Sequence, residues 1–201
     1  MGEDQGPQLG AISRKFSEAR AKRARTLKLR GTGDLLAVVI ATGLGVGFMP
    51  VAPGTFGSLV GVAIFYGLFV TFKSQPSALQ GSVLLASLIL AAIGIWASNR
   101  AEKIFEQKDA GQIVIDEVCG QVISFAFASV SLLDAEYHLG WALLIGFALF
   151  RLFDIFKPYP IRRLEALGSG LGVMADDVLA GIYAAVVLSL LLLFVSPPHL
   201  A

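Results

Sequence analysis

Long apolar segments dominate this chain, and most have about the length that a lipid bilayer requires. The 201 residues have a mean hydropathy of +0.72 and only 15% are charged, whereas about a quarter are charged in an average soluble domain. A helix of about 20 apolar residues crosses a hydrocarbon core. The chain is therefore predicted to be all-α, a polytopic membrane helical bundle of about five spanning helices: 57–72, 79–97, 113–133, 139–156 and 178–195.

A sixth apolar stretch, residues 35–49, has a different composition. Gly43, Gly45 and Gly47 interrupt it, and Pro50 follows it. Glycine and proline both destabilise the interior of a helix. We predict that this Gly/Pro-rich segment is interfacial or re-entrant and does not span the membrane.

Basic residues are distributed unevenly, which predicts the topology. Residues 14–30 hold eight of the 16 lysines and arginines, and the connections 98–112 and 157–177 hold three each. Basic loops are retained on the cytoplasmic side of a membrane. We therefore predict a cytoplasmic basic arm, residues 1–33, followed by one multi-pass membrane domain, residues 34–201, with both basic connections in the cytoplasm. No nucleic-acid partner is expected, and the sequence does not define the oligomeric state.

Five carboxylates lie at the edges of the apolar segments, and the predicted topology brings all of them to the cytoplasmic face. They are Asp116, Glu117, Asp154, Asp176 and Asp177. A charge near hydrocarbon is costly, so its first interpretation is a functional site. Several carboxylates together with a phosphate form a typical Mg²⁺ site.

Simpler interpretations of the same carboxylates remain open. Asp116 and Glu117 could be a solvated pair at a helix start, favoured by the helix dipole, and Asp176 or Asp177 could cap the last helix. Neighbouring helix positions point about 100° apart. We therefore expect one member of the Asp116–Glu117 pair to face a metal, and the other to face a second ion or a basic residue.

Arg151, Asp154 and Lys157 follow one another at intervals of three residues, which places them on one helical stripe. Arginine suits bidentate binding of phosphate, so the stripe predicts the cationic half of a phosphate site. The alternative is a salt-bridged helix end whose long side chains reach the headgroups. Arg162, a little further along, would bind a phosphate or serve as a cytoplasmic anchor.

A glycine-rich run, residues 54–58, precedes the first predicted span and contains Thr55 and Ser58. Backbone N–H groups at a helix start bind phosphate well, and the two hydroxyls could add hydrogen bonds. A tight crossing between segments is the competing interpretation. The single cysteine, Cys119, is predicted to be a small packed residue.

Four motifs in this order carry a resemblance to a known family. They are Gly54-Thr-Phe-Gly-Ser58, Ile115-Asp-Glu-Val-Cys-Gly120, Arg151-Leu-Phe-Asp-Ile-Phe-Lys-Pro158 and Gly170-Leu-Gly-Val-Met-Ala-Asp-Asp-Val-Leu-Ala-Gly181. Over residues 34–195 the chain resembles the phosphatidylglycerophosphatase A family. The resemblance implies an all-helical, Mg²⁺-dependent lipid phosphatase of the bacterial cytoplasmic (inner) membrane. Its substrate would be an anionic phospholipid, phosphatidylglycerophosphate, which it would hydrolyse to phosphatidylglycerol and phosphate at an active site facing the cytoplasm.

Roles for individual residues follow from this hypothesis. The Mg²⁺ ligands would come from the five carboxylates Asp116, Glu117, Asp154, Asp176 and Asp177. The catalytic residues would be Asp154, Asp177, Arg151 and Lys157. The substrate-binding residues would be Thr55, Ser58 and Arg162. The attacking group would be either a metal-activated water or an aspartate that forms an acyl phosphate.

Two other classes of protein also place acids in membranes. A small carboxylate-lined ion transporter is the main alternative, and it would carry its acids near the bilayer midplane, often within inverted repeats. We find no repeat in this chain. A CDP-alcohol phosphotransferase would need regularly spaced aspartates on two consecutive helices, and that pattern is also missing from the sequence.

Overall fold

The computed structural model describes residues 29–128, 139–164 and 168–195, and every regular element within these ranges is helical. The prediction of an all-α protein is therefore confirmed. The elements are α1 (Thr32–Ala41), a 3₁₀ turn (Val46–Phe48), α2 (Pro53–Phe72), α3 (Pro76–Phe105), α4 (Ile115–Ile123), α5 (Leu139–Phe156), α6 (Ile161–Leu164) and α7 (Ser169–Val195). The basic arm up to residue 28 and the C-terminal residues 196–201 lie outside the described ranges.

Four of the described helices are long and apolar enough to cross a membrane: α2, α3, α5 and residues 170–194 of α7. Proline is the first residue of both α2 and α3, where its missing N–H costs no helical hydrogen bond. Large apolar side chains cover the outside of the helices, including Leu88 on α3 and Phe194 on α7. Exposed apolar surface on this scale fits a hydrocarbon environment.

The third predicted span, residues 113–133, differs from a continuous spanning helix. Its described part is the nine-residue helix α4, followed by a turn from Ser124; residues 129–133 lie outside the described ranges. The Gln121 side chain is fully buried there and donates a hydrogen bond to Ser124 Oγ at 2.8 Å. Ser124 Oγ in turn donates to the Gln121 carbonyl at 2.6 Å. Such local side-chain bonds compete with continuation of a helix.

We predicted that the stretch 35–49 is not a straight spanning helix, and the structure agrees. Helix α1 ends at Ala41, and three consecutive residues, Gly43, Leu44 and Gly45, have positive φ. The Asp34 carboxylate accepts hydrogen bonds from Arg100 Nε at 2.6 Å and from the Arg30 backbone N–H at 2.7 Å, which joins α1 to α3. The Arg30 N–H and the Arg100 side chain lower the pKa of Asp34 below its ordinary value.

The last helix begins earlier than predicted. We expected a flexible loop up to Asp177 and a helix over 178–195, but α7 starts at Ser169. The Gly170 N–H donates to the side-chain oxygen of Asn99 at 2.7 Å, which supplies one of the partners that a helix N-terminus lacks. A Cβ at Gly170 would lie 2.6 Å from the Ile95 carbonyl, so α7 packs tightly on α3. Asp176 and Asp177 are consequently inside the helix and cannot be its N-cap.

Helix α4 lies in the middle of the bundle and packs against α2, α3 and α7. A Cβ at Gly181 of α7 would collide with the Gly120 carbonyl, and a Cβ at Gly61 of α2 would lie 2.7 Å from the Val118 carbonyl. Small residues therefore let these backbones approach closely, as is common in membrane bundles. This packing brings the first turn of α4 next to the end of α5 and the first turns of α7.

The other end of the bundle is filled by apolar side chains. Phe65 of α2 stacks on Phe125 with ring centroids 4.3 Å apart, and both are fully buried. Val83 of α3 and Leu188 of α7 belong to the same core cluster. The polar groups described below are therefore confined to one end of the molecule.

Candidate active site

A cavity of about 690 Å³ opens at the polar end of the bundle. Five parts of the chain line it: residues 52–55 at the start of α2, residues 108–113 before α4, the first turn of α4, the end of α5 and the first turns of α7. All five predicted carboxylates are on its lining, together with Arg151 and Lys157. The structure thus brings together the residues that the sequence pattern assigned to one face.

Three of the carboxylates form a tight group, which we call the carboxylate triad: Asp116, Glu117 and Asp177. Each offers one oxygen, and these oxygens lie within 4.8 Å of one another. Asp116 Oδ1 and Glu117 Oε2 are buried without a hydrogen-bond partner among the described residues. Buried negative charges in such a group need compensation by a cation. Oxygen donors of this kind suit Mg²⁺, so the triad fits a divalent metal.

The triad differs from our expectation for Asp116 and Glu117. We expected the two adjacent side chains to face different partners, but both contribute to the same group. They occupy the first turn of α4, where no preceding helical turn restricts their direction and where the helix dipole favours negative charge.

Burial controls the charge state of the α4 members, which lie outside the four spanning helices. It raises the pKa of Asp116 well above its ordinary value, and the negative charges of Glu117 and Asp177 raise it further. Burial also raises the pKa of Glu117; a hydrogen bond with Asp116 opposes this shift, the Asp154 charge adds to it, and Arg151 opposes it. A bound cation would favour the ionised form of both residues.

The other two carboxylates have cationic partners from the chain. Arg151 Nη1 lies 2.7 Å from Asp154 Oδ2, and Lys157 Nζ lies 2.6 Å from Asp176 Oδ2. The three residues of the predicted stripe, Arg151, Asp154 and Lys157, are therefore divided between two ion pairs. Helix α5 ends at Phe156 and Lys157 has a φ of 43°, so Lys157 leaves the stripe and reaches across to α7.

Two of the predicted substrate-binding residues lie outside the cavity lining. Ser58 is fully buried; it donates to the Gly54 carbonyl at 3.0 Å and lies 3.4 Å from Arg151 Nη1. Arg162 is exposed and donates to the Phe156 carbonyl at 3.4 Å. Thr55, in contrast, lines the cavity. This geometry links Ser58 to the site through Arg151.

Gly54 has a role that the sequence analysis did not assign. A Cβ at this position would collide with Glu117 Oε1 and would lie 3.4 Å from Arg151 Nη1. The backbone of α2 therefore closes the side of the triad, and a side chain there would displace Glu117. The Pro53-Gly54 pair just before the predicted helix 57–72 was the available signal.

Lys108 was also missed, because we counted it only as a basic residue that sets the topology. It lies on the cavity lining beside Asp109. Cys119 has no such position: it is fully buried, its thiol donates to the Ser87 carbonyl at 3.6 Å, and burial raises its pKa to about 12. The prediction of a packed, unreactive cysteine agrees with this environment.

Comparison with known proteins identifies the relatives of the chain. The sequence profile of the phosphatidylglycerophosphatase A family matches residues 39–192. A Bacteroides thetaiotaomicron protein named as a candidate phosphatidylinositol-3-phosphatase is 37% identical over 156 residues, which cover 78% of this chain and 93% of that protein.

Two further relatives are named phosphatidylglycerophosphatase A. The Haemophilus influenzae protein is 38% identical over 74% of this chain and 84% of its own length, and the Escherichia coli protein is 33% identical over 81% and 84%. No solved structure matches the chain significantly. The match over most of the chain, and over the whole of the acidic cavity, shows that the protein belongs to the phosphatidylglycerophosphatase A family.

Proposed function

We propose that the protein is a Mg²⁺-dependent lipid phosphatase that hydrolyses the terminal phosphomonoester of phosphatidylglycerophosphate, giving phosphatidylglycerol and phosphate in phospholipid synthesis. The observation that carries the proposal is one cavity that combines the carboxylate triad with Arg151 and Lys157, at the end of helices suited to a membrane. Membership of the family supports the activity, and its two relatives of that name support the substrate.

Asp116, Glu117 and Asp177 would hold the Mg²⁺ ion. The unpartnered, buried oxygens of Asp116 and Glu117, together with an Asp177 oxygen in the same group, are the donor set that such an ion prefers. Asp176 Oδ1 is also buried without a partner among the described residues, but Asp176 lies outside the triad and its Oδ2 is held by Lys157, so we assign it to positioning Lys157. When bound, the ion supplies positive charge that offsets the charge of the phosphate group and helps to orient it.

Arg151 and Lys157 would bind the phosphate oxygens. Each already holds a carboxylate oxygen at the cavity, and a phosphate oxygen can make the same charge-assisted hydrogen bonds. Donors that are fixed before the substrate arrives stabilise the charge that develops in the transition state. Ser58 holds Arg151 from behind, and the Thr55 hydroxyl adds a donor at the cavity wall.

Asp154 is the carboxylate that we assign to the attack. It lies outside the triad, and its charge acts on both Asp177 and Glu117. There it can accept a proton from an attacking water and pass it to the lipid oxygen as the bond from phosphorus to that oxygen breaks, so that phosphatidylglycerol leaves with a free hydroxyl. The alternative is direct attack by an aspartate, which would form an acyl phosphate. Trapping the enzyme during a single turnover separates the two, because only the second route attaches the phosphate covalently to a carboxylate.

The central experiment measures phosphate release from phosphatidylglycerophosphate by the purified protein in detergent. Activity that requires Mg²⁺, disappears with EDTA and returns with added Mg²⁺ is the expected result. Activity that EDTA leaves unchanged would contradict the metal proposal, and no release in any condition would contradict the lipid phosphatase proposal.

A second substrate has a specific observation in its favour. The Bacteroides relative matches over nearly its whole length, and its name refers to phosphatidylinositol 3-phosphate. Both lipids carry a phosphomonoester on a headgroup that is joined to the lipid by a phosphodiester. The two lipids should be compared in the same micelles, and a higher kcat/KM for phosphatidylinositol 3-phosphate would change the assigned substrate.

The proposed location is the bacterial cytoplasmic membrane, with the cavity facing the cytoplasm. Lys103 in the last turn of α3, and Lys108, Arg162 and Arg163 in the segments that follow α3 and α5, lie at the cavity end, and such residues favour the cytoplasmic side. A Lys103→Cys variant can be labelled with a membrane-impermeant thiol reagent, since native Cys119 is buried. Labelling in inverted vesicles but not in spheroplasts is expected, and the reverse would place the cavity outside.

A further inference from the structure

The loop between α3 and α4 has a constrained backbone that holds Lys108 at the cavity. Glu106 and Asp109, on either side of it, have φ values of 51° and 48°, a region that residues other than glycine rarely adopt. The Asp109 N–H donates to Glu102 Oε1 at 2.8 Å. Such conformations persist where the surroundings determine them, and they are frequent at binding sites.

Lys108 differs from the other two cations of the cavity in its surroundings. Arg151 and Lys157 are each paired with a carboxylate, whereas Lys108 makes no salt bridge with any residue in the described ranges. Its Nζ lies 3.7 Å from the position that a Cβ of Gly168 would occupy. Asp109 also lines the cavity and is negatively charged, so near Gly168 the attraction for an anion comes from the Lys108 ammonium group.

The position of Lys108 is separated along α7 from Asp176, the residue that holds Lys157. Gly168 immediately precedes this helix, and Asp176 is seven residues beyond its first residue. At 1.5 Å per residue the separation along the helix axis is about 10 Å. The cavity therefore has two cationic positions, one at the carboxylates and one near the start of α7.

The proposed substrate has two phosphates with a comparable spacing. A phosphomonoester and a phosphodiester are joined through a glycerol unit, and single bonds of about 1.5 Å place the two phosphorus atoms roughly 6 to 7 Å apart. A hydrogen bond of about 3 Å from an ammonium group to the diester accounts for the difference between this spacing and the separation of about 10 Å along α7.

We propose that Lys108 determines specificity by binding the phosphodiester of the lipid headgroup while the monoester occupies the end with Arg151 and Lys157. This inference rests on the proposed function and extends it. It implies that the enzyme favours lipids that carry both phosphates over phosphatidic acid, whose only phosphate is a monoester.

The test compares Lys108→Gln with the wild type on phosphatidylglycerophosphate and on phosphatidic acid with the same acyl chains. For the first lipid, kcat/KM should fall about 10- to 100-fold, as expected for a lost hydrogen bond to a charged group. For phosphatidic acid it should not change. Lys108→Arg should restore most of the activity, and Lys103→Gln, the same charge change on the exposed end of α3, should leave both substrates unaffected.

Inhibition provides a readout that does not depend on phosphatidic acid being hydrolysed. Phosphatidylglycerol retains the diester and lacks the monoester, so Lys108→Gln should weaken inhibition by this product about 10-fold or more and leave inhibition by inorganic phosphate unchanged. Equal changes for both inhibitors, or none, would refute the role of Lys108. A wild-type protein that releases no phosphate from phosphatidylglycerophosphate would instead refute the proposed function.

Discussion

The carboxylate triad and the two ion pairs share one cavity but differ in how their charges are balanced. Asp154 and Asp176 are balanced by Arg151 and Lys157, at 2.7 and 2.6 Å. The triad has no equivalent cation among the described residues, and two of its oxygens have no hydrogen-bond partner. The chain therefore neutralises two of its five carboxylates itself. The remaining group is suited to a cation from solution, and the paired cations to an incoming anion.

The largest effect should follow from removing a triad charge. Asp177→Asn should lower kcat by about 1,000-fold or more, the scale expected when a principal electrostatic group is lost. It should also abolish the rise in Tm that Mg²⁺ gives the wild type, because the metal stabilises only the folded state that binds it. Phosphate release and thermal unfolding in detergent measure the two effects.

Asp109→Asn is the matched control, because Asp109 lines the same cavity outside the triad. It should keep the Mg²⁺-dependent rise in Tm. If Asp177→Asn keeps this rise as well, the triad is not the metal site and the comparison fails.

A smaller but still large effect is expected from displacing a triad member without changing any charge. Gly54→Ala places a methyl group against Glu117 Oε1 and should reduce kcat/KM about 100-fold, as misplacement of a catalytic group by about 1 Å can do. Gly67→Ala on the same helix is the control, because a Cβ there meets no atom within 4 Å. Equal activity of both variants would show that the contact between α2 and Glu117 is unimportant.

An intermediate effect should distinguish Asp176 from the triad. Asp176→Asn removes the charge that holds Lys157, so kcat should fall about 10-fold through less precise placement of the ammonium group. The Mg²⁺ concentration for half-maximal activity should stay within about twofold of the wild-type value. A large increase in that concentration would show that Asp176 is a metal ligand. The distinction between the triad and the ion pairs would then not hold.

The smallest effect concerns a charge pair remote from the cavity. The Arg30 N–H and the Arg100 side chain lower the pKa of Asp34, so its stabilising effect is complete above the ordinary pKa of about 3.9 and is lost as the pH falls through the lowered folded-state value. Asp34→Asn should slightly lower Tm at neutral pH, without loss of activity. The difference from wild type should shrink below about pH 4; a difference that grows there would have the wrong sign.

The sequence predicted that the five carboxylates lie together, but it did not predict which of them pair with Arg151 and Lys157. Asp116, Asp154 and Asp177 were assigned to one face from hydropathy and loop charge, and they do meet in one cavity. The family resemblance is confirmed by the match over residues 39–192. The partner of Lys157 was not predictable, because it depends on the end of α5 and on the early start of α7.

The positions of Ser58 and Gly54 could not be predicted for the same reason. A hydroxyl in a glycine-rich run indicates a ligand contact, but Ser58 lies behind Arg151. For the run that contains Gly54 we considered backbone donors to a phosphate or a tight crossing between segments, and its position against Glu117, which leaves no room for a side chain, is such a close approach. Both outcomes depend on which helix lies opposite, and local sequence carries no such information.

The sequence alone determined the helical class, the apolar segments and the end of the bundle at which the acids collect. These follow from hydropathy and charge, which are properties of each segment taken separately. Only the tertiary structure decided which carboxylates form the triad, which are paired with a cation, and that Lys108 lines the same cavity. These are distances between segments, and they are set by the close packing of α4 against α2 and α7 at Gly61, Gly120 and Gly181.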